Sequence, residues 1–221
     1  MIKNIKFIFV YFFLLSLVWL LNEFFLRQVI DNSFSAVTAD IIKECVVKII
    51  VWFVPALLFA KKYSSHMYVR YSDLFRVSPK NDFKVFLPVF LLLSFYILLF
   101  KFRSSGGIHI SQNFIPYIPV FFCVGLAEET VFRGVLLNSS LDDQNQDFQW
   151  KPVILNALMF LAVHFPRWLK EGVFLSNFLS GGFLSILLLS TVFSYSFVKS
   201  KNIAVPVLLH AWWDFFLFIL S

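Results

Sequence analysis

Apolar residues fall into seven long runs, at about 7–25, 42–60, 83–100, 115–137, 152–169, 174–198 and 203–220. Each is near the ~20 residues a helix needs to cross a ~30 Å hydrocarbon core. Breakers separate them: Ser104-Ser105-Gly106-Gly107, the polar stretch from Asn138 to Gln149, Pro166, and Lys199 to Asn202. The pattern predicts an all-α, multi-pass transmembrane bundle of about seven spans (six to eight), a single domain over 1–221. Internal repeats and low-complexity tracts are absent. Two runs are irregular. Lys43, Glu44 and Lys48 crowd the start of the second, where long side chains are expected to snorkel to the interface. Pro166 follows His164 by two residues, so the fifth run is expected to kink or end there.

Seven spans set alternate loops on opposite sides. With the N-terminus inside, the inner side holds Lys3, Lys6, Lys61, Lys62, Arg70, Arg76, Lys80, Lys84, Lys151, Lys199 and Lys201, eleven basic residues. The outer side holds five: Arg27, Lys101, Arg103, Arg167 and Lys170. That imbalance predicts a cytoplasmic N-terminus. The long basic loop 61–84 is expected to lie along the headgroups. Lys3 and Lys6 ahead of Phe7 to Leu21 look like a secretory leader. However, Val37-Thr38-Ala39, the one passable cleavage site, lies far from that apolar core, so an uncleaved first span is expected.

Composition narrows the class. Mean hydropathy is +0.79, with 59% hydrophobic and only 14% charged residues, which leaves no polar surface for a soluble domain. The 31 Phe residues belong against lipid or inside the bundle. The net charge of +6 sits in loops between the runs, so no nucleic-acid partner is expected. Cys45 and Cys123 lie in apolar runs and read as small hydrophobes without a disulfide or zinc pattern. His66 and His109 read as solvated loop residues.

Charged groups inside spans cost roughly 2.5–3.5 kcal/mol each on insertion scales, and so mark candidate functional sites. The fourth run contains Glu128-Glu129 and then Arg133. Glu129 and Arg133, four apart, share a helix face and can pair. Glu128 points about 100° away and must find its partner on another helix. The fifth run supplies His164, and the seventh supplies His210 and Asp214, again four apart. At 1.5 Å per residue these groups share one layer, expected nearer the cytoplasmic side. Each also has a plain structural reading as a helix-pinning ion pair or interhelical hydrogen bond. A His-Glu-x-x-His zinc helix is absent. Ser180, beside Gly181-Gly182 and near Ser176 and Ser185, reads as small-residue packing.

Together Glu128-Glu129-x-x-x-Arg133, Phe160-x-x-x-His164 and His210-x-x-x-Asp214 resemble the CPBP intramembrane proteases, which group type II CAAX prenyl endopeptidases with bacterial Abi and bacteriocin-processing or immunity proteins. The resemblance covers the C-terminal part, 115–220. It implies an active site between the fourth, fifth and seventh helices, with Glu128 as the base that activates water and His164 assisting. His210 and position 214 would stabilise the oxyanion or complete a metal site, and Glu129 with Arg133 would be a structural ion pair. Family members often carry Asn where this chain has Asp214. An ionised carboxylate cannot donate to an oxyanion, so Asp214 points to ligation or orientation of His210. A divalent metal such as zinc would draw on Glu128, His164, His210 and Asp214; no cofactor is certain. The expected substrate is a prenylated or precursor peptide, and the expected setting the bacterial cytoplasmic membrane in contact with its lipid. Two other classes compete: a catalytically inactive immunity or scaffold protein of the same family, and an ion-coupled transporter, for which the internal repeat is missing.

Overall fold

In the computed structural model, which describes residues 3–105, 110, 114–145 and 147–220, the apolar runs are helices and no described residue is in a strand. His109 and Gly106-Gly107 lie outside the described residues. The elements are α1 (Ile5–Ser33), α2 (36–62), α3 (Tyr71–Leu74), α4 (Pro79–Ser105), α5 (118–140), α6 (Trp150–Ala162), α7 (Phe165–Lys170), α8 (Phe174–Leu179), α9 (Gly182–Ser200) and α10 (Ala204–Ile219). Four stretches, Ile5–Ser33, Pro79–Arg103, Trp150–Lys170 and Gly182–Ser200, are long and apolar enough to cross a membrane. The charge-bearing α2 and α5 and the shorter α10 complete a helical membrane bundle.

The fifth run ends at Ala162 and resumes at Phe165 with Pro166 at the start of α7, as the proline requires. The sixth run differs from its expected continuous span. It breaks at Ser180-Gly181, where Gly181 takes φ +78°, a left-handed conformation that favours glycine. Helices α1, α2 and α5 widen to π geometry over Asn22–Leu26, Ile42–Val47, Ile49–Phe53 and Thr130–Leu137. Such widening re-aims side chains and recurs at functional sites. Here Glu23, Glu44 and Arg133 each sit in a widened segment.

Two apolar clusters hold the bundle. One joins α1, α2, α5 and α6 through Ile8, Trp19, Trp52, Phe132 and Phe160. The other joins α4, α9 and α10 through Leu93, Ile97, Phe193, Leu209 and Trp213. Gly125 lets α5 meet α10 closely: a Cβ there would lie 3.0 Å from the Val207 carbonyl oxygen and 3.2 Å from the Ala211 nitrogen. Outward residues such as Phe13, Phe25, Leu91, Phe95 and Leu188 remain exposed, which suits a surface solvated by lipid.

The α1 N-terminus, the α5 C-terminus and the loop 63–78 meet on one face. The Lys3 backbone N–H donates to the Ser140 carbonyl at 3.1 Å, and Asn4 Nδ2 to the Ser139 carbonyl at 3.1 Å. Lys3 Nζ also donates to Asp143 and holds that exposed carboxyl below its usual pKa range. The loop presents one face to the bundle. Met67, Val69 and Leu74 are buried in the core, because buried Asn138 offers the loop an amide to pair with. Asn138 Oδ1 accepts from the Val69 N–H at 2.7 Å, and its Nδ2 donates to the Val69 carbonyl at 2.9 Å and the Gly134 carbonyl at 3.1 Å.

Asn138→Leu would strand both Val69 backbone groups. A buried group left unpaired costs roughly 1–3 kcal/mol, so a clear fall in Tm is expected for the detergent-solubilised protein. An unchanged Tm would show that the loop is not held this way.

Candidate active site

Helix α5 aims its two adjacent carboxylates in different directions, as 3.6 residues per turn dictates. Glu129 and Arg133 are fully buried and form the ion pair their spacing predicts: Arg133 Nη1 donates to Glu129 Oε1 at 2.9 Å. Arg133 Nη2 reaches α9, donating to the Ser190 carbonyl at 2.9 Å and to Ser190 Oγ at 2.8 Å. The guanidinium lies 4.8 Å from the Phe160 ring centre and 5.5 Å from that of Phe193. Such cation–π contacts gain strength when desolvated.

The ion pair is more than a brace, because it extends to the histidine on α10. His210 Nδ1 donates to Glu129 Oε1 at 2.7 Å, and its ring stacks on Phe193 at 5.1 Å and 17°. The other nitrogen, Nε2, lies 3.5 Å from Asp214 Oδ2 and 3.8 Å from Glu128 Oε2. His164 occupies the turn between α6 and α7. Its Nδ1 lies 2.7 Å from the Phe160 carbonyl oxygen, which can only accept, so Nδ1 carries a proton and Nε2 is the nitrogen left for other partners.

Glu128 finds its partner on α2, as it had to, but the partner was not foreseen. Lys48 Nζ donates to Glu128 Oε1 at 2.6 Å and lies 3.0 Å from Glu44 Oε2. Arg27 Nη2 on α1 donates to Glu44 Oε1 at 2.7 Å, and Arg27 Nη1 to Glu23 at 3.3 Å. Lys43, Glu44 and Lys48 therefore do not snorkel to the interface; all three are buried. The far end of α1 folds against them and supplies counter-charges, with Lys43 bridging Asp31 and Asp40. The signal was present in the i,i+4 spacings Glu23–Arg27 and Glu44–Lys48. Glu128, His164, His210 and Asp214 line one cavity of about 390 Å³, together with Lys48, Glu44 and Arg27. The site thus draws on α2 and α1 beyond the three helices expected.

The cavity opens at one end of the bundle. Its rim is formed by Asp40, Tyr117, Arg167 and Phe218, residues at the helix ends opposite the N-terminal face. On the N-terminal side the layer is closed by packed Phe132, Val135 and Leu136. Glu128 lies about 15 Å from the rim end of α5 at 118 and about 18 Å from its other end at 140, at 1.5 Å per residue. The layer is central rather than close to the N-terminal face. Depth along a helix was readable; which end the helices leave open was not.

The donors do not fit a bound metal as they stand. Among the described residues no three His, Cys, Asp or Glu groups converge as a metal set. A Lys48 ammonium already occupies Glu128 Oε1 at 2.6 Å, where a cation would have to displace it. No chemical step below is routed through a metal.

Residues 110–216 match the family model described as Type II CAAX prenyl endopeptidase Rce1-like. Neither a curated protein nor a solved structure matches the chain. The matched span contains Glu128, Glu129, Arg133, His164, His210 and Asp214 and begins after the α1–α2 charges.

Removing one partner of a buried ion pair typically costs about 3–5 kcal/mol, because a bare charge is left behind. Lys48→Met is expected to destabilise by that order. The triple variant Lys48→Met, Glu44→Gln, Glu128→Gln removes the stranded carboxylates and should recover most of the loss. Thermal unfolding in detergent checks this; equal losses in both variants would mean that Lys48 is not paired as described.

Proposed function

We propose that the chain, whose residues 110–216 match the Rce1-like model, is a CPBP-family intramembrane endopeptidase that uses Glu128 to activate water. The observation that carries this reading is the convergence of Glu128, His164, His210 and Asp214 on one cavity. A peptide substrate follows from the chemistry of the family, and the cavity's place inside a lipid-facing bundle suits a segment that reaches it through or along the membrane.

Peptide hydrolysis needs a base, a way to steady negative charge on oxygen, and a proton for the leaving nitrogen. Lys48 and its hydrogen bond fix Glu128 Oε1, which leaves Oε2 facing His210 as the oxygen that takes the proton of an attacking water. As the water oxygen bonds to the peptide carbon, the carbonyl electron pair moves onto its oxygen. His210, as an imidazolium held between Glu129 and Asp214, can donate from Nε2 to that oxyanion, whereas His164, whose proton is on Nδ1, can do so only when Nε2 is protonated as well. Glu128 then returns its proton to the leaving nitrogen as the C–N bond breaks. Asp214, 3.5 Å from His210 Nε2, cannot donate and serves to orient His210.

One observation favours a second reading. A carboxylate already paired with an ammonium at 2.6 Å is also what a purely structural charge network contains, and an immunity or scaffold protein of the same family would need no more. Glu128→Gln separates the two. It keeps size and hydrogen bonding but removes the base, so the endopeptidase reading predicts at least a hundredfold loss of peptide processing, general-base contributions being about 10²–10⁴-fold. Insertion and gel-filtration behaviour should be retained. A folded Glu128→Gln protein with undiminished processing would sink the catalytic role.

A further inference from the structure

The cavity has a direction, and so does the charge of the loops. All eleven basic residues assigned to the N-terminal side, Lys3 to Lys201, flank helix ends or loops on the face where Lys3 meets Ser140 and where the Ile203 N–H donates to the Leu74 carbonyl at 2.8 Å. The opposite face carries five, among them Arg27 paired with Glu23 and Glu44, Arg167 with Glu171 at 2.8 Å, and Lys170 donating to the Glu23 carbonyl at 2.6 Å. Loop lysines and arginines retained on the cytoplasmic side set orientation, so the N-terminal face is cytoplasmic. The rim of the cavity at Tyr117, Asp40 and Phe218 is on the other face, and apolar packing around Phe132, Val135 and Leu136 closes the cytoplasmic side.

From these two observations we infer that the site is reached from the extracytoplasmic side, and that its substrate is a peptide segment already delivered across the membrane rather than one presented in the cytoplasm. This rests on the endopeptidase reading for the word substrate, but the direction of access does not. From the mouth inward the cavity is lined by apolar Tyr117, Phe218, Phe121 and Val124, with Arg27 and Asp40 also in its lining. It fits an extended apolar stretch flanked by polar residues. That stretch must reach Glu128, about 15 Å below the rim end of α5. Of the two substrate classes the family suggests, a precursor peptide cleaved after export fits this route. A lipid-modified C-terminus presented in the cytoplasm would meet the closed face.

Cysteine labelling in intact cells tests the direction without needing activity. The full chain with Cys45→Ala and Cys123→Ala provides the background for single cysteines at Tyr117→Cys on the rim, Val124→Cys inside the cavity and Ser65→Cys on the N-terminal face. A charged, membrane-impermeant maleimide should label the first two in intact cells and the third only after permeabilisation. Labelling of Ser65→Cys in intact cells, with Tyr117→Cys protected until permeabilisation, would overturn the inference. So would a protected Val124→Cys beside a labelled Tyr117→Cys, since the cavity would then be closed to that face. Because Glu128→Gln removes processing but leaves the labelling pattern untouched, failure of the access claim and failure of the protease reading are distinguishable.

Discussion

A single carboxylate oxygen, Glu129 Oε1, receives Arg133 Nη1 at 2.9 Å and His210 Nδ1 at 2.7 Å, and through them ties α5 to α9 and α10. Inside a membrane such groups have no water to fall back on, so each must be met by protein. The bundle meets them in sequence. Glu128, one residue away, turns to Lys48 on α2, Lys48 to Glu44, and Glu44 to Arg27 on α1. The helices that carry the family match are thereby locked to two that do not. What looks like four separate charged pairs is one connected constraint, and the position of each catalytic candidate depends on it.

The constraint also divides the polar residues by task. Glu129 and Arg133 are sealed among Phe132, Phe160 and Phe193, so they set geometry and touch no open space. Glu128, His164, His210 and Asp214 sit at the edge of that sealed block and face the cavity. A sealed half that orients and an open half that reacts is the arrangement a pre-organised site needs.

Local spacing made part of this legible in the sequence. The i,i+4 pairs Glu129–Arg133 and His210–Asp214, and the break at His164–Pro166, each depend on neighbours within one helix, and each appears as the spacing implied. Lys48 was missed because its decisive partner is 80 residues away on another helix, and a lysine near the start of an apolar run also suits the interface. The buried loop around Val69 was missed for the same reason: the Asn138 amide that holds it belongs to α5. The mouth of the cavity was invisible because hydropathy reports depth along a helix but is blind to which end splays. The break at Gly181 was marked only by a glycine pair that reads equally well as small-residue packing.

The most direct test of the central claim is isotope incorporation during cleavage by the purified protein. Precursor peptides incubated with it in ¹⁸O-enriched water would be followed by mass spectrometry, beside the folded Glu128→Gln variant. Water activated in this cavity predicts one ¹⁸O in each new C-terminal carboxylate with the wild-type protein and no labelled product with the variant. Equal labelled product from both, or no cleavage by the wild-type protein of any peptide the intact cell processes through it, would contradict the account.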